Sequence, residues 1–344
     1  MDVSVIGASG YSGVELVRLL QQHPFFTISS LHSSSKPGQF LHQENPHLSH
    51  SPYRLRDIDI DEIAGNSQLV FLATPSGVAK DLASKLLSAG VKVIDLSGDH
   101  RLQSQESYRK WYKKEPAEEA ILGKAVYGLS EWNKEQIKEA DLVANPGCFP
   151  TASLLGLAPL MVERLIRPDS VIIDAKSGVS GAGRSASVGS LYSEVNENFK
   201  IYKVHEHQHI PEIEQQLDIW QGDRTTIEFS THLVPMTRGI MATIYAELKG
   251  EWSNDKLHGL YRETYMNHPF IRIQEQGVYP CTKQVMGSNF CDISLSINER
   301  TGRITIVSVI DNLMKGAAGQ AVQNANILCG FGETDGLMQL PLFP

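Results

Sequence analysis

Two groups of residues in this 344-residue chain have the types and spacing for covalent chemistry. The first lies in "DLVANPGCFPTASLLGLAPLM", Asp141 to Met161, where Cys148 follows Pro146 and Gly147 and precedes Pro150, at the hinge between a short apolar run and an amphipathic one. A thiol reacts as its thiolate, and a helix N-terminus favours that form through its positive dipole and open amides. Pro150 marks such a start, because the first helical turn tolerates a missing amide. The same amides suit an oxyanion formed when a carbonyl is attacked. Cys281, Cys291 and Cys329 lie beside strands or at a helix end and read as small hydrophobes.

The second group is "YKVHEHQHIPEIEQQL", residues 202 to 217. His205, His207 and His209 alternate ahead of Pro211, which starts a helix; on an extended segment all three share one face. Two readings stand at this point: one histidine moves protons, or the cluster holds a metal. Glu212 is near enough in sequence to orient a ring.

A third signal sits near the start. "VIGASGYSGVEL" places Gly7, Gly10 and Gly13 between a strand and a helix, with Ser9, Tyr11 and Ser12 in the same turn. Glycines so spaced let a pyrophosphate approach the helix N-terminus. The second strand then ends in "HSSSKPG" without the acidic residue that holds an NAD ribose. Ser33, Ser34, Ser35 and Lys36 suit a 2′-phosphate, so the expected cofactor is NADP(H). A thiol, a histidine and a dinucleotide turn together indicate a thioester that exchanges hydride with a nicotinamide.

These groups need a scaffold. Apolar runs at 3–7, 27–33, 69–75 and 91–97 read as strands, and 13–23 and 77–90 as helices, the rhythm of a doubly wound parallel sheet. Beyond Cys148 the long strands at 170–178, 225–235, 241–248, 290–298 and 303–311 read as a mixed, largely antiparallel sheet, and 315–330 as a final helix ending at Gly330. The fold class is therefore α/β: a Rossmann-type doubly wound parallel sheet plus a second α+β catalytic and dimerisation domain. Residues 1–147 with 312–344 form the cofactor domain and 148–311 the inserted one.

A net charge of −8 without a basic stripe argues against nucleic acid as a partner. No run approaches the ~18 apolar residues of a membrane span. Sparse cysteines and a start that runs straight into a strand fit a cytoplasmic protein.

In order along the chain, "GASGYSGVELVRLL", "LATPSGVA", "VIDLSGDHRL", "VYGLSEWN", "ANPGCFPTA", "SGVSGAGR", "HQHIPEIEQ", "HLVPMTRGI" and "DNLMKGAAGQAVQN" resemble the N-acetyl-γ-glutamyl-phosphate reductase family, from Gly7 to Asn324. The resemblance implies NADPH-dependent reduction of an acyl phosphate to a semialdehyde in arginine biosynthesis. It makes Cys148 the nucleophile and His207 the general acid/base, with no metal. Asn145 is assigned to the acyl carbonyl, Arg101, Arg184, Arg238 and His209 to the anionic substrate, and Ser177, Gly178 and Asn312 to the cofactor. A homo-oligomer, dimer or tetramer, and a functional link to the acetylglutamate kinase before it are implied too. The chain departs from the family pattern at Gln208, where arginine is usual, at His100 in "DHR" and at Ser76 in "PSG". The rival readings are a sister acyl-phosphate reductase, a non-catalytic NADP-binding regulator, and a redox-free thiol hydrolase or acyltransferase.

Overall fold

The computed structural model describes residues 1–343 and divides the chain into two compact units. Met1–Gly147 and Ala317–Met338 form the first; Cys148–Gly316 and the tail from Gln339 form the second.

In the first unit the elements are β1 (Asp2–Ile6), α1 (Tyr11–Leu20), β2 (Thr27–His32), β3 (Leu55–Arg56), α2 (Ile60–Asn66), β4 (Leu69–Leu72), α3 (Ala79–Ser88), β5 (Lys92–Asp95), α4 (Gln105–Tyr112), α5 (Glu119–Leu122), β6 (Ala125–Tyr127), α6 (Lys134–Lys138) and β7 (Leu142–Ala144). The seven strands lie in the order β3-β2-β1-β4-β5-β7-β6, each neighbouring pair parallel. Strands covered on both faces must be apolar throughout, and β4, with Leu69, Val70, Phe71 and Leu72 all buried, shows why its sequence is an unbroken hydrophobic run.

Polar exceptions under the sheet are satisfied in series. Ser67 and Ser30 each lie within hydrogen-bond distance of Ser4, at 2.7 and 2.6 Å, and Ser30 reaches His32 Nε2 at 2.7 Å. His32 Nδ1 donates to the Asp57 carbonyl at 2.6 Å. Burial holds this imidazole below its ordinary pKa, so it stays neutral and fixes the carboxyl end of β2. The returning helix Gly319–Leu328 is buried along its whole length although four of its ten side chains are amides, Gln320, Gln323, Asn324 and Asn326. Asn324 Nδ2 donates to Gly128 O (2.7 Å) and Asn145 Oδ1 (3.0 Å), and Gln320 Nε2 to Gly128 O and Ser130 Oγ, both at 2.9 Å. Those bonds offset the desolvation of the amides.

The second unit contains α7 (Cys148–Val162), β8 (Ile172–Ser177), α8 (Tyr192–Val195), β9 (Lys200–Tyr202), α9 (Ile210–Gln221), β10 (Glu228–Leu233), β11 (Ile240–Glu247), α10 (Asn254–Tyr265), β12 (Ile271–Ile273), β13 (Cys291–Asn298) and β14 (Arg303–Ile310). Its seven-stranded sheet runs β12-β13-β14-β11-β8-β10-β9. The pairs β12–β13 and β8–β10 are parallel and the others antiparallel. On β8 and β11 burial alternates residue by residue, one face in the core and the other half-open.

Three sequence expectations change here. The run after Cys148 is not amphipathic: α7 is buried from Phe149 to Met161, as an all-apolar helix must be. Pro159 inside it has no amide to give the Leu155 carbonyl, and the Tyr265 hydroxyl donates to that carbonyl instead, at 2.5 Å. The expected single helix over 315–330 begins as a π turn, Met314–Ala318, in which Gly316 N–H donates to Asp311 O. Asp311 drives this, because its carboxylate accepts the Leu313 and Met314 amides. Finally, the chain leaves the second unit after Gly316 rather than before Asn312. Asn312 is tied there by donating to Ser180 Oγ (2.9 Å) and accepting from Gly239 N–H (2.8 Å). The tail is tied there by Leu342 N–H on Met286 O.

Candidate functional site

The glycine turn joins β1 to α1. Gly7 has φ +88°, and a Cβ there would lie 2.3 Å from Ala73 O. One on Gly13 would lie 2.3 Å from Gly7 O, so helix and strand approach as closely as only glycine permits. The His32 carbonyl accepts the Gly7 and Ala8 amides at 2.9 and 3.2 Å, which ties the turn to β2. Gly10 is the N-cap of α1 and offers no side-chain cap, so the first amides at Tyr11, Ser12 and Gly13 are left for an anion. Ser9 Oγ lies 3.0 Å from Ser33 Oγ, which lies 3.3 Å from Ser35 Oγ. Turn and second-strand end thus share one hydroxyl cluster, with Ser34 exposed beside it. Lys36 is ion-paired with Glu44. The crowded glycines and the hydroxyls fit a dinucleotide.

Two other expected site residues of this unit work on its own backbone. Arg101 is buried and donates from Nε to Asn145 O (2.8 Å) and from Nη2 to Leu96 O (2.7 Å). Asn145 donates from Nδ2 to Ala317 O at 3.2 Å and accepts from Asn324.

In the second unit Cys148 opens α7, half-buried, as the first residue of a fifteen-residue helix. The three histidines do not share a face. Lys203 and His205 have φ of +47° and +58°, so the segment turns instead of extending, and His205 points to solvent while His207 and His209 are buried. His207 meets Phe149, Phe229 and Tyr202 near edge-on, with centroids 5.5, 5.6 and 5.8 Å away, and His209 at 4.7 Å. Its Nδ1 accepts the His209 backbone amide at 3.1 Å. Burial first, and the Lys203 charge second, push the imidazole down to about 3. Lys203 Nζ donates to Gln208 Oε1 at 2.7 Å. Burial, and then the charge on Cys148, raise the Tyr202 phenol above its ordinary value, which places Tyr202 within electrostatic range of the thiol.

Glu212 is fully buried in the first turn of α9 behind Pro211. Ser177 ends β8 and Gly178 follows it, Arg184 lies on an exposed loop, and Arg238 pairs with the buried Asp311 at 3.2 Å. The aromatic wall of Phe149, Tyr202 and Phe229 and the cation Lys203 were not singled out from sequence. Tyr202 and Lys203 stand two and one residues before Val204 in the histidine stretch, but nothing in their spacing marks them.

Comparison with known proteins assigns a class first. Residues 2–140 match the family model "Semialdehyde dehydrogenase, NAD binding domain" and residues 148–312 match "Semialdehyde dehydrogenase, dimerisation domain". The fold agrees with aspartate semialdehyde dehydrogenase II of Vibrio cholerae (TM-score 0.73, 16% identity, 96% of this chain and 98% of that one). It agrees equally with the aspartate semialdehyde dehydrogenase of Candida albicans solved with NADP (TM-score 0.70, 16% identity, 95% and 98%). Among curated proteins the chain is 56% identical to the N-acetyl-gamma-glutamyl-phosphate reductase of Geobacillus sp. (strain WCH70) and 54% identical to that of Bacillus cereus (strain AH187), each over 100% of both chains. The chain belongs to the N-acetyl-gamma-glutamyl-phosphate reductase family. Among the described residues, no helix is long and apolar enough to cross a membrane.

Proposed function

We propose that this chain reduces N-acetyl-γ-glutamyl phosphate to N-acetylglutamate 5-semialdehyde with release of phosphate, through a thioester on Cys148, as a step of arginine biosynthesis. The observation that carries the reading is the placement of Cys148 as the first residue of α7, in the same unit as a buried, neutral His207. The helix N-terminus favours the thiolate and its amides hold the acyl oxyanion. His207 is the acid/base group of the site, and Glu212 and His209 keep its surroundings in place. Arg184 and Arg238 attract the phosphate and carboxylate of the substrate, while Arg101 and Asn145 order the backbone beside the cofactor end of the first unit.

The bound dinucleotide supplies the hydride. Gly7, Ser9, Gly10, Tyr11, Ser12 and Gly13 receive its pyrophosphate, and Ser177, Gly178 and Asn312 serve its nicotinamide end. NADP is favoured over NAD by Ser33, Ser34, Ser35 and Lys36 in place of an acidic residue, and the fold neighbour from Candida albicans was solved with NADP. The match to a dimerisation domain supports a homo-oligomer, dimer or tetramer. An acetylglutamate kinase is the partner reaction that delivers the acyl phosphate.

The test is phosphate-dependent reduction of NADP⁺ with N-acetylglutamate semialdehyde, run beside Cys148→Ala and beside aspartate semialdehyde as substrate. Turnover is expected to need both phosphate and the thiol, with Cys148→Ala slower by at least about a thousandfold. Equal rates for the two proteins overturn the thioester, and preference for aspartate semialdehyde reassigns the substrate.

A further inference from the structure

We infer that the tail from Gln339 takes part in placing the thiol: Leu342, through Met286, Gly287 and the buried Asp311, is a positioning residue for Cys148. The coupling lies within the second unit, and its bearing on turnover rests on the thioester reading.

The series of contacts starts at the tail. Pro341 fixes its own backbone angle and biases Leu340 toward an extended one, so the segment is preset to lie as a strap. Leu342 N–H donates to Met286 O at 2.8 Å, and its side chain crosses the bare face of Gly287, where a Cβ would be 3.1 Å from Leu342 Cδ1. Leu342 stays 64% exposed, so it adds little to the core; what it supplies is the amide and the contact with Gly287. The two carbonyls before Met286 have donors as well, Arg272 Nη2 on Gln284 O at 3.1 Å and Ser288 Oγ on Val285 O at 2.8 Å. Gly287, at φ +75°, then gives its own amide to Asp311 Oδ2 at 2.7 Å.

An ionised carboxylate offers about four lone-pair sites. At Asp311 they are taken by Gly287 N–H, by Arg238 Nη1 at 3.2 Å, and by the Leu313 and Met314 amides at 2.8 and 3.1 Å. The last two shape the π turn, and the Asp311 carbonyl continues it by accepting Gly316 N–H at 3.0 Å. Gly316 meets the thiol residue directly, since a Cβ there would lie 2.8 Å from Cys148 Cβ and 3.3 Å from its Cα. A close-packed interior transmits a displacement. When Gly287 withdraws, Arg238 alone pulls on Oδ2, the carboxylate turns toward the cation, and the turn that backs Cys148 moves with it.

The test compares the full chain with one shortened to end at Gln339, with Leu342→Pro, which lacks the amide, and with Leu342→Met, which keeps it. In phosphate-dependent reduction of NADP⁺ with N-acetylglutamate semialdehyde, the first two should lose about 2- to 30-fold in kcat with KM for NADP⁺ unchanged, and Leu342→Met should match the full chain. The rate of Cys148 alkylation by iodoacetamide, followed by peptide mass spectrometry without substrate or cofactor, should change by at least about twofold in the same two variants. In an Asp311→Asn background the shortening should have little further effect, because both losses share one route. Full kcat in the shortened chain and in Leu342→Pro overturns the proposal, and so do losses from Asp311→Asn and from the shortening that simply multiply. A full chain whose turnover does not need Cys148 overturns the thioester reading instead, and the alkylation rates then decide the coupling by themselves.

Discussion

The dinucleotide turn and the thiol–histidine cluster are made of opposite materials. The turn is backbone: glycines that lack a Cβ, amides without a side-chain cap, one carbonyl of β2 gathering two N–H groups. The cluster is side chains: a thiol from α7, an imidazole from the loop before α9, aromatics from α7, β9 and β10. A backbone site is contiguous in sequence and is broken by adding atoms. A side-chain site is dispersed and is broken by removing them, with one exception that tests the contrast.

That exception is Gly316, where a Cβ would lie 2.8 Å from Cys148 Cβ. Gly316→Ala should shift the thiol and lower kcat/KM by about 10²-fold with little change in cofactor affinity, read by steady-state kinetics and NADPH titration. Unchanged kinetics would mean that the π turn yields and the thiol does not. Gly13→Ala should do the reverse, costing about 1–3 kcal/mol in urea unfolding and weakening NADPH binding. Tyr265→Phe leaves the Leu155 carbonyl of α7 without its donor; a loss of about 1–2 kcal/mol in stability is expected, with kcat preserved.

A further effect is on pH. Below 6.5 the unfolded chain protonates His207 while the folded chain refuses the proton until about 3, so stability falls as pH falls through that window. The slope is at most about 1.4 kcal/mol per pH unit, and His207→Leu should lessen it in urea titrations at two acidic pH values. A wild-type slope identical to that of the variant would show the ring is not held neutral.

How much of this was readable beforehand follows from the same contrast. The glycine turn, the start of α7 and the long strands carry local signals, namely crowding, a proline in the first turn and two-residue alternation. The histidine stretch turns instead of extending because Lys203 and His205, both exposed, take positive φ in a local turn in which Glu206 N–H donates to Lys203 O, and neither residue type announces it. The helices α4 and α10 passed unnoticed although Ser104 and Ser253 cap them, accepting the Ser107 and Lys256 amides. The edge strands β6 and β9, three residues each, are too short to show a period. Arg101, Asn145 and Asn312 suit a polar ligand by type, and sequence gives no sign that their polar atoms are engaged by backbone and neighbouring hydroxyls.

The division at Gly147 and Ala317 also orders events in time. During synthesis the first unit emerges first and yet lacks the helix Gly319–Leu328, whose amides satisfy Gly128, Ser130 and Asn145. The second unit has its core in one uninterrupted stretch, Cys148–Gly316. On the ribosome, therefore, the half that begins the chain is the half that must wait for its end.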